Sequence, residues 1–194
     1  AGIETVIIHP LNFMELGFIG TEEYHFEKNM EFFSALTPLA RELGVKIGIE
    51  NLWHNSPLTN NIYGVTCADP KEHVRYVTSL NAPDVFVACL DVGHSALVDR
   101  KPEDVIRALG GDILGALHIH DVDYKTDLHT APFQGKLNWD EICRALGEIN
   151  YRGVLTFEAD SFLSKLPDEL VPDGIRFMAK TGKYLADKVD SYRK

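Results

Sequence analysis

The sequence predicts an α/β protein of the TIM (β/α)8-barrel type, apparently an incomplete barrel, and three observations lead to this class. Apolar, β-branched runs recur along the chain without alternating polar positions, which is typical of strands buried on both faces of a parallel sheet. Longer amphipathic segments separate these runs, as in α/β proteins. Each run also ends in an ionisable residue, and barrel enzymes place their chemistry at the carboxyl ends of the strands.

Five strands are predicted in chain order, each followed by a histidine or a carboxylate. The runs cover residues 5–8, 45–49, 85–90, 114–117 and 154–157, and the residues that follow them are His9, Glu50, Asp91, His118 and Glu158.

Helices are predicted between and after these strands. Apolar residues at helical spacing indicate a helix over 22–43, and Asp69-Pro70 supplies an N-cap and a first-turn proline for a second helix that runs to Leu80. Three further helices begin at Lys101-Pro102, Asn138 and Asp173, and the first of these ends at Gly110-Gly111 while the last ends near Arg193.

The number of units indicates a partial barrel. A complete barrel takes about 250 residues, whereas this chain has 194 residues and five units. A doubly wound sheet is the competing architecture, but no glycine-rich nucleotide-binding motif follows any strand. We expect residues 1–194 to form a single unit, the C-terminal five-eighths of a barrel whose first strands are missing or supplied by a partner chain. Such a sheet has two open edges, and a homo-oligomer is one way to cover them.

Composition and charge narrow the functional classes. The chain is 45% hydrophobic, 10% aromatic and 25% charged, as in a soluble globular domain. Its 19 Lys and Arg against 29 Asp and Glu give a net charge of −10, which argues against a nucleic-acid partner. No apolar run approaches the ~20 residues that span a bilayer, so no membrane partner is expected. The three cysteines are scattered and form no CxxC pair, which predicts reduced thiols in a cytoplasmic protein.

The ionisable residues near the strand ends are predicted to bind a metal ion. Carboxylates and imidazoles that converge on one rim are ligands for Mn²⁺, Co²⁺, Mg²⁺ or Zn²⁺. A lone buried histidine is usually a hydrogen-bonded core residue, but five strands that all end in such residues are much less expected by chance. The candidates are His9, Glu50, Asp91, His94, His118, Asp127, His129 and Glu158.

Several segments resemble the xylose-isomerase-like TIM-barrel superfamily, which holds sugar (phosphate) isomerases and epimerases and the class II AP endonucleases. The similar segments are Ile49-Glu50-Asn51, Leu90-Asp91-Val92-Gly93-His94, His118-Ile119-His120-Asp121, Asp127-Leu128-His129, Gly135-Lys136-Leu137-Asn138-Trp139 and Thr156-Phe157-Glu158. The Asp-x-Gly-His motif is the most specific, and the order and spacing of all segments strengthen the match. The resemblance covers essentially the whole chain and corresponds to the family's fourth to eighth strands.

The resemblance implies a cofactor and a ligand set. The cofactor is one divalent metal ion, Mn, Co, Mg or Zn, and the matching ligands are Glu50, Asp91, His118 and Glu158. In the family's epimerases, the residues that match Glu50 and Glu158 also exchange a proton on opposite faces of a ketose. His94 matches a residue that contacts the substrate or a second metal, and Asp127 and His129 match a pair that binds additional zinc in the endonucleases.

The chemistry of these residue types agrees with that assignment. Removal of a proton next to a ketone needs a base and a stabiliser for the enediolate oxygens, which a divalent cation with open positions provides. The resemblance implies that Glu50 and Glu158 are the catalytic pair, and their positions three strands apart around the rim would let them flank a ligand. We therefore predict an isomerase, a metal-dependent sugar (phosphate) isomerase or epimerase that transfers a proton through an enediolate held on the metal. The expected partner is a small-molecule sugar or sugar phosphate.

Substrate binding is predicted for three residues, Trp53, His94 and His129. Trp53 follows Glu50 closely, and its ring is expected either to stack on a sugar or to pack in the core.

Other residues near the rim have competing interpretations. His120 shares a strand face with His118 and competes with it for the ligand position, although the His-x-x-Asp match favours His118. Asp121 is expected to orient the histidines from outside the ligand set. His25 is expected within a helix, and His54 and His73 on a loop or helix surface, with no chemical role for any of the three.

Two alternative functions stay open. The first is a class II AP endonuclease, a zinc-dependent phosphodiester hydrolase with three zinc ions. It is favoured by His9, His94, Asp127 and His129, which match further ligand positions, and opposed by the net charge of −10 and the lack of a Lys/Arg stripe. The second is a non-catalytic truncated barrel.

Overall fold

The computed structural model describes residues 2–56 and 59–193. Its strands are β1 (Thr5–Ile8), β2 (Lys46–Glu50), β3 (Trp53–Asn55), β4 (Ile62–Gly64), β5 (Phe86–Asp91), β6 (Leu114–Ile119) and β7 (Thr156–Phe157). Its α-helices are α1 (Glu22–Leu43), α2 (Pro70–Ser79), α3 (Val92–Leu97), α4 (Pro102–Leu109), α5 (Trp139–Glu148), α6 (Asp160–Ser164) and α7 (Val171–Tyr192). Short 3-10 turns lie at Met14–Leu16 and Asp168–Leu170.

Five strands form one parallel sheet in the order β1-β2-β5-β6-β7. This order follows the chain, whereas in a doubly wound sheet the strand order reverses at a switch point. The sheet is therefore part of a (β/α)8 barrel, with β1 and β7 at its two edges. The predicted fold class, an incomplete TIM barrel, is confirmed.

Capping residues begin and end the helices, and two of them, Asp69 and Asn138, were predicted from the sequence. Asp69 caps α2, since its Oδ1 accepts hydrogen bonds from the backbone N–H groups of Lys71 and Glu72. Asn138 caps α5 through a bond from the N–H of Glu141. Helix α1 ends at Gly44, whose φ of 65° lies in the left-handed region that glycine adopts without strain.

The hydrophobic core lies between the sheet and an outer layer of helices. Helix α1 contacts α2, α2 contacts α4, α4 contacts α5, and α5 contacts α7, so the layer is continuous along the sheet. Fully buried side chains from these helices include Phe33, Tyr76, Ile106, Ile142 and Leu185. The three cysteines are buried and free, as predicted.

Three elements near the rim were not predicted. An antiparallel hairpin of β3 and β4 follows β2 and pairs Trp53 with Gly64. Helix α3 follows β5 without a gap, and α6 lies shortly after β7. Each of these elements extends from the carboxyl end of a strand of the sheet, so they build up the rim on which the ionisable residues lie.

Strand register brings the ionisable residues together at that rim. Parallel pairing places Glu50 beside Cys89, Asp91 beside His118, and His118 beside Thr156. Because the strands are parallel, all their carboxyl ends lie on the same side of the sheet. Within the described ranges, none of the helices combines the length and apolar character needed to cross a bilayer.

Candidate metal centre and catalytic site

Four ionisable side chains meet where the strands end, and we call them the strand-end group. Glu50 ends β2, Asp91 ends β5, His118 lies near the end of β6 and Glu158 follows β7. Each offers one ligand atom, and these atoms all lie within 4.8 Å of one another. The Nδ1 atom of His118 lies 3.2 Å from Glu50 Oε1 and 2.9 Å from Glu158 Oε2. The structure thus brings together the four residues that the sequence analysis predicted as metal ligands.

The donor atoms of this group fit a divalent cation. The His118–carboxylate contacts are short, yet they lack hydrogen-bond geometry: both carboxylate oxygens of Glu50, Nδ1 of His118 and Oε2 of Glu158 are buried without a hydrogen-bond partner among the described residues. Buried polar atoms without partners are costly, and a cation would satisfy all of them at once. Three carboxylates and one imidazole are ligands that suit Mn²⁺, Co²⁺, Mg²⁺ and Zn²⁺.

Two members of the group, Glu50 and His118, keep their charges against the effect of burial. Burial alone would raise the pKa of Glu50, but His118 and His9 outweigh this effect and lower the pKa to about 2. Burial would likewise lower the pKa of His118, whereas the adjacent Glu158 and Glu50 carboxylates raise it to about 10. His9 adds a further contact, with Nε2 at 3.1 Å from Glu50 Oε2. Opposite charges that face one another therefore overcome the effect of burial.

The Asp-x-Gly-His motif joins β5 to α3 and has a structural reason for each residue. Asp91 caps α3, and its Oδ1 accepts a hydrogen bond of 2.7 Å from the N–H of His94. The same carboxylate lies 3.0 and 3.1 Å from Nε2 of His120. A Cβ atom at Gly93 would lie 2.1 Å from the His120 ring, so only glycine fits there. The motif therefore places a carboxylate and two imidazoles within a few ångströms.

A second set of possible ligands lies beside the first, and we call it the loop group. It consists of His94, His120, Asp127 and His129, whose ligand atoms also lie within 4.8 Å of one another. Nε2 of His129 is 3.1 Å from Asp127 Oδ2, and the rings of His120 and His129 stack with centroids 4.3 Å apart. Nδ1 of His120 and Oδ1 of Asp127 are buried without a hydrogen-bond partner among the described residues. The structure therefore places His120 here and His118 in the strand-end group.

Hydrogen bonds fix how His94 faces the two groups. Its Nδ1–H donates to the backbone carbonyl of Asn51 at 2.9 Å, which leaves Nε2 facing Asp127 Oδ2 at 3.7 Å. Burial would lower the pKa of His94, but the Asp91 and Asp127 carboxylates raise it to about 9. His94 is thus held as a potential ligand on the loop-group side of the rim.

Asp121 organises the loop that carries Asp127 and His129, and the expectation that it orients the histidines was wrong. Its buried carboxylate accepts hydrogen bonds from the backbone N–H groups of Val122, Phe133 and Leu137 and from Trp139 Nε1, at 2.9, 2.9, 3.1 and 2.8 Å. A Cβ atom at Gly135 would lie 2.3 Å from Asp121 Oδ1, which explains the glycine in this segment.

The predicted substrate-binding residues line one open pocket above the two groups. Its volume is about 440 Å³, and its walls are formed by His9, Pro10, Asn12, Leu52, Trp53, His94, Asp127, His129 and Glu158. Trp53 is half-buried on β3, and its ring meets the His94 ring edge-on at 6.4 Å between centroids. The described lining contains no Lys or Arg.

A comparison with known families decides the identity of the fold. Residues 1–181 match the sequence profile of the family described as "Xylose isomerase-like TIM barrel". The chain belongs to this family. The resemblance predicted from the strand-end motifs is therefore confirmed.

Curated relatives of this xylose isomerase-like barrel include sugar epimerases. The chain is 29% identical over 157 residues to an uncharacterized protein of Methanocaldococcus jannaschii, which covers 80% of the chain and 50% of the relative. It is 30% identical over 123 residues to the D-psicose 3-epimerase of Enterocloster bolteae, which covers 63% of the chain and 36% of the relative. The chain thus spans half or less of the length of these two relatives.

Solved structures of the same fold match nearly the whole chain. The IolI protein with a bound zinc atom aligns with a TM-score of 0.71 at 21% identity, over 98% of this chain and 64% of that chain. A D-psicose 3-epimerase solved in the presence of D-fructose aligns with a TM-score of 0.69 at 18% identity, over 94% of this chain and 64% of that chain. At these identities the similarity shows the fold.

Two histidines of this xylose isomerase-like chain, His73 and His54, lie elsewhere than predicted. His73 was expected on a loop or helix surface, but it is fully buried on α2 and donates from Nε2 to the carbonyl of Ile49 at 2.7 Å. The spacing of His73 with Tyr76 and Val77 along one helical face was the signal that indicated burial. His54 lies on β3 rather than in a loop, with its ring against Tyr63.

A side chain that was not predicted to have a role, Asn51, links two strand ends. Oδ1 of Asn51 accepts from the N–H of Asp91 at 2.7 Å, and Nδ2 donates to the carbonyl of Asp91 at 3.1 Å. Asn51 therefore ties the end of β2 to the end of β5. Its place directly after the strand-ending Glu50 was the available signal.

Proposed function

We propose that this protein is a metal-dependent sugar isomerase or epimerase that moves a proton on a ketose through an enediolate. The observation that carries the proposal is the strand-end group, with its buried, unpartnered carboxylate and imidazole atoms on four neighbouring strands. Glu50, Asp91, His118 and Glu158 would hold one divalent ion, Mn, Co, Mg or Zn. The epimerase relatives support the isomerase class.

The two glutamates are assigned to proton transfer. The bound metal would polarise the carbonyl and hydroxyl oxygens of the ketose and so acidify the hydrogen on the adjacent carbon. Glu50 is ionised at neutral pH because its pKa is lowered to about 2, chiefly by His118 and His9 against the opposing effect of burial. It therefore accepts a proton on one face of the sugar. Glu158, three strands away and 37% exposed, lies against the pocket, where it would take up a proton from solvent and pass it to the enediolate carbon on the other face, while the proton held by Glu50 is released to solvent.

Substrate recognition is assigned to the pocket wall. Trp53 lines the pocket, and its aromatic ring would stack on a sugar. His94 and His129 supply ring nitrogens that bind hydroxyl groups. The absence of Lys and Arg from the described lining favours an unphosphorylated sugar over a sugar phosphate.

The architecture of the active unit is also a proposal. Residues 1–194 form a single unit equivalent to the last five strands of the barrel, and further strands, from the same polypeptide or from a second copy, complete the wall next to β1 and β7. A homo-oligomer and a cytoplasmic location stay predictions.

The test is exchange of substrate hydrogen with solvent. The metal-loaded native protein is incubated with D-fructose, D-psicose or D-tagatose in deuterated water, and deuterium at the carbon next to the carbonyl is followed by NMR. Glu158→Gln should abolish the exchange and leave the circular dichroism spectrum unchanged, whereas Glu169→Gln, at an exposed glutamate outside the pocket lining, should leave exchange intact. Unchanged exchange in Glu158→Gln would remove Glu158 from the mechanism.

The loop group favours a second candidate function, a zinc-dependent phosphodiester hydrolase of the class II AP endonuclease type. Such chemistry uses several metal ions, and the loop group offers four further ligands next to the strand-end group. The net charge of −10 opposes it. Elemental analysis of protein purified without chelator separates the two: one metal per chain supports the isomerase, and close to three zinc ions with cleavage of an abasic DNA duplex supports the hydrolase.

A further inference from the structure

The loop that joins β1 to α1, residues 9–21, forms one wall of the pocket, and we call it the rim loop. His9, Pro10 and Asn12 of this loop line the pocket together with Trp53 and Glu158. A segment of this length at the surface usually moves unless side chains hold its backbone. In this protein, two fully buried polar residues of α1 hold it.

Asn29 holds the backbone of Leu11 at both of its polar groups. Asn29 Oδ1 accepts from the N–H of Leu11 at 2.7 Å, and Nδ2 donates to the carbonyl of Leu11 at 3.0 Å. The same Nδ2 donates to the carbonyl of His25 one turn earlier, at 2.8 Å. The carboxamide of Asn29 therefore binds both the N–H and the carbonyl of one residue, as the backbone of a neighbouring strand would. The Asn29 side chain is fully buried.

His25 holds the backbone of Phe13 in the same way. Its Nε2 accepts from the N–H of Phe13 at 3.2 Å, so Nε2 carries no hydrogen, and Nδ1 then donates to the carbonyl of Thr21 at 3.0 Å. Both bonds exist only for the neutral ring with its hydrogen on Nδ1. The ring is fully buried and lies edge-on to Phe13 and Phe18, with centroids 5.4 and 5.1 Å away.

The two anchored residues flank Asn12. Because the backbone is held immediately before and after it, the direction of the Asn12 Cα–Cβ bond is held as well. Asn12 lines the pocket, and its carboxamide forms no hydrogen bond with any residue in the described part of the chain. A carboxamide offers both a donor and an acceptor, which is what a sugar hydroxyl group needs.

We propose that Asn12 binds a hydroxyl group of the substrate and that His25 and Asn29 are positioning residues that hold it in place. This inference rests on the proposed function, because it assigns a hydroxyl-bearing ligand to the same pocket. The proposal assigns a role to Asn12, His25 and Asn29, which belong to neither the strand-end group nor the loop group. The four strand-end ligands lie on other elements, and the rim loop contacts Glu50 through His9, outside the Leu11–Phe13 segment that Asn29 and His25 hold.

A double-mutant cycle on the native, metal-loaded protein tests the proposal. Loss of one hydrogen bond to the substrate should raise the KM for a ketose in Asn12→Ala about fivefold, with kcat within about twofold. Asn29→Ala should raise KM by a similar factor. If Asn29 acts through Asn12, the double variant should be no worse than Asn12→Ala alone. Glu27→Ala, an exposed residue of the same helix, is the control and should change nothing.

A spectroscopic measurement tests the positioning role without any substrate. In protein with 15N-labelled histidine, His25 should show a protonated Nδ1 and an unprotonated Nε2, and the Phe13 amide should exchange slowly with solvent. Faster exchange at Leu11 and Phe13 is expected in Asn29→Ala and not in Glu27→Ala. Metal content and thermal unfolding of each variant identify any that fails to fold, and the wild-type histidine signals then still decide the tautomer.

The outcomes are separable. If the wild type exchanges substrate hydrogen and Asn12→Ala has an unchanged KM, the binding role of Asn12 is overturned while the proposed function stands. Additive effects of Asn12→Ala and Asn29→Ala, or a His25 ring protonated at Nε2, would overturn the positioning role. If the metal-loaded wild type exchanges hydrogen with no ketose, the proposed function fails and the hydroxyl-binding role fails with it.

Discussion

The rim and helix α2 both carry buried or half-buried ionisable groups, and the pKa values of these groups are shifted in opposite senses in the two regions. On the rim, the pKa of Glu50 is lowered to about 2 and that of His118 is raised to about 10, so both stay charged against the effect of burial. On α2, burial lowers the pKa of His73 to about 4 and raises that of the half-buried Glu72 to about 7. The pKa shifts of His73 and Glu72 therefore favour the uncharged form of each side chain.

The difference comes from what faces each group. Burial always disfavours charge, and only a close opposite charge reverses that effect. Glu50 and His118 face one another at 3.2 Å, whereas His73 and Glu72 face a backbone carbonyl and a backbone N–H. Groups that opposite charges keep ionised in a protein interior are candidates for a cation site or a reaction.

The largest expected effect comes from removing a charge on the rim. Asp91→Asn should lower metal affinity at least about 100-fold, because it removes a charged ligand and leaves His120 without its carboxylate partner. Competition with a chelating dye measures the affinity. Asp84→Asn, at an exposed ion pair with Arg41, is the matched control and should bind metal as the wild type does. Equal affinity in Asp91→Asn would remove Asp91 from the ligand set.

On α2, His73 should make stability depend on pH in the acid range. Its pKa is lowered from 6.5 to about 4, so between these values the unfolded chain binds a proton that the folded chain does not. Its contribution to the free energy of unfolding is present above pH 6.5 and is lost as the pH falls, by about 3 kcal/mol in total. Denaturation at several pH values should show the stability gap between wild type and His73→Gln narrowing from pH 7 to pH 4. A constant gap would contradict the buried, neutral state of His73.

Glu72 should change the stability of the protein with pH in the direction opposite to His73, over nearly the same pH range. Its pKa is raised from 4.5 to about 7, so its contribution is present below pH 4.5 and is lost as the pH rises through 7. With allowance for its partial exposure, Glu72→Gln should stabilise the protein by about 2 kcal/mol at pH 8 and leave it nearly unchanged at pH 4. Glu42→Gln, exposed on α1, is the control. Because His73 and Glu72 offset each other in the wild type, each single variant should show a steeper pH dependence than the parent, and a flatter one would refute this account.

The smallest effect is expected at the pocket wall. Trp53→Ala should raise the KM for a ketose about threefold through loss of ring contact, while Trp53→Phe, which keeps an aromatic face, should stay close to the wild type. Steady-state kinetics of the two variants measure this. Equal loss in both variants would assign Trp53 to packing of the hairpin instead of to the sugar.

The strand-end group could be predicted because its signals are local. An apolar run followed by a carboxylate or imidazole locates a strand end, and the parallel topology then places all such ends at one edge. Glu50, Asp91, His118 and Glu158 followed from this rule and from the family resemblance.

The loop group and the buried groups of α2 were harder to predict from the sequence, because they depend on contacts between segments that are distant along the chain. His118 lies on β6 and His120 directly follows the end of that strand, and contacts of His120 with Gly93, Asp91 and His129 place it in the loop group. His73 and Asp121 were misassigned because burial beneath β2 and the fold of the loop over 122–139 arise from tertiary packing. Sequence periodicity reports which face is apolar, not which polar atom lies beneath it.

The agreement between strand order and chain order also bears on how the protein reaches its native state. Each strand of the sheet pairs with the strand of the sheet that precedes it in the chain: Lys46 pairs with Thr5, and Thr156 pairs with His118. The pairings therefore close loops of about forty residues or fewer. Such short closures cost less chain entropy than the end-to-end pairing of a Greek-key sheet. A ribosome that releases this segment from its N-terminal side would let each β-α unit dock on the one before it, so that the sheet grows in the direction of synthesis.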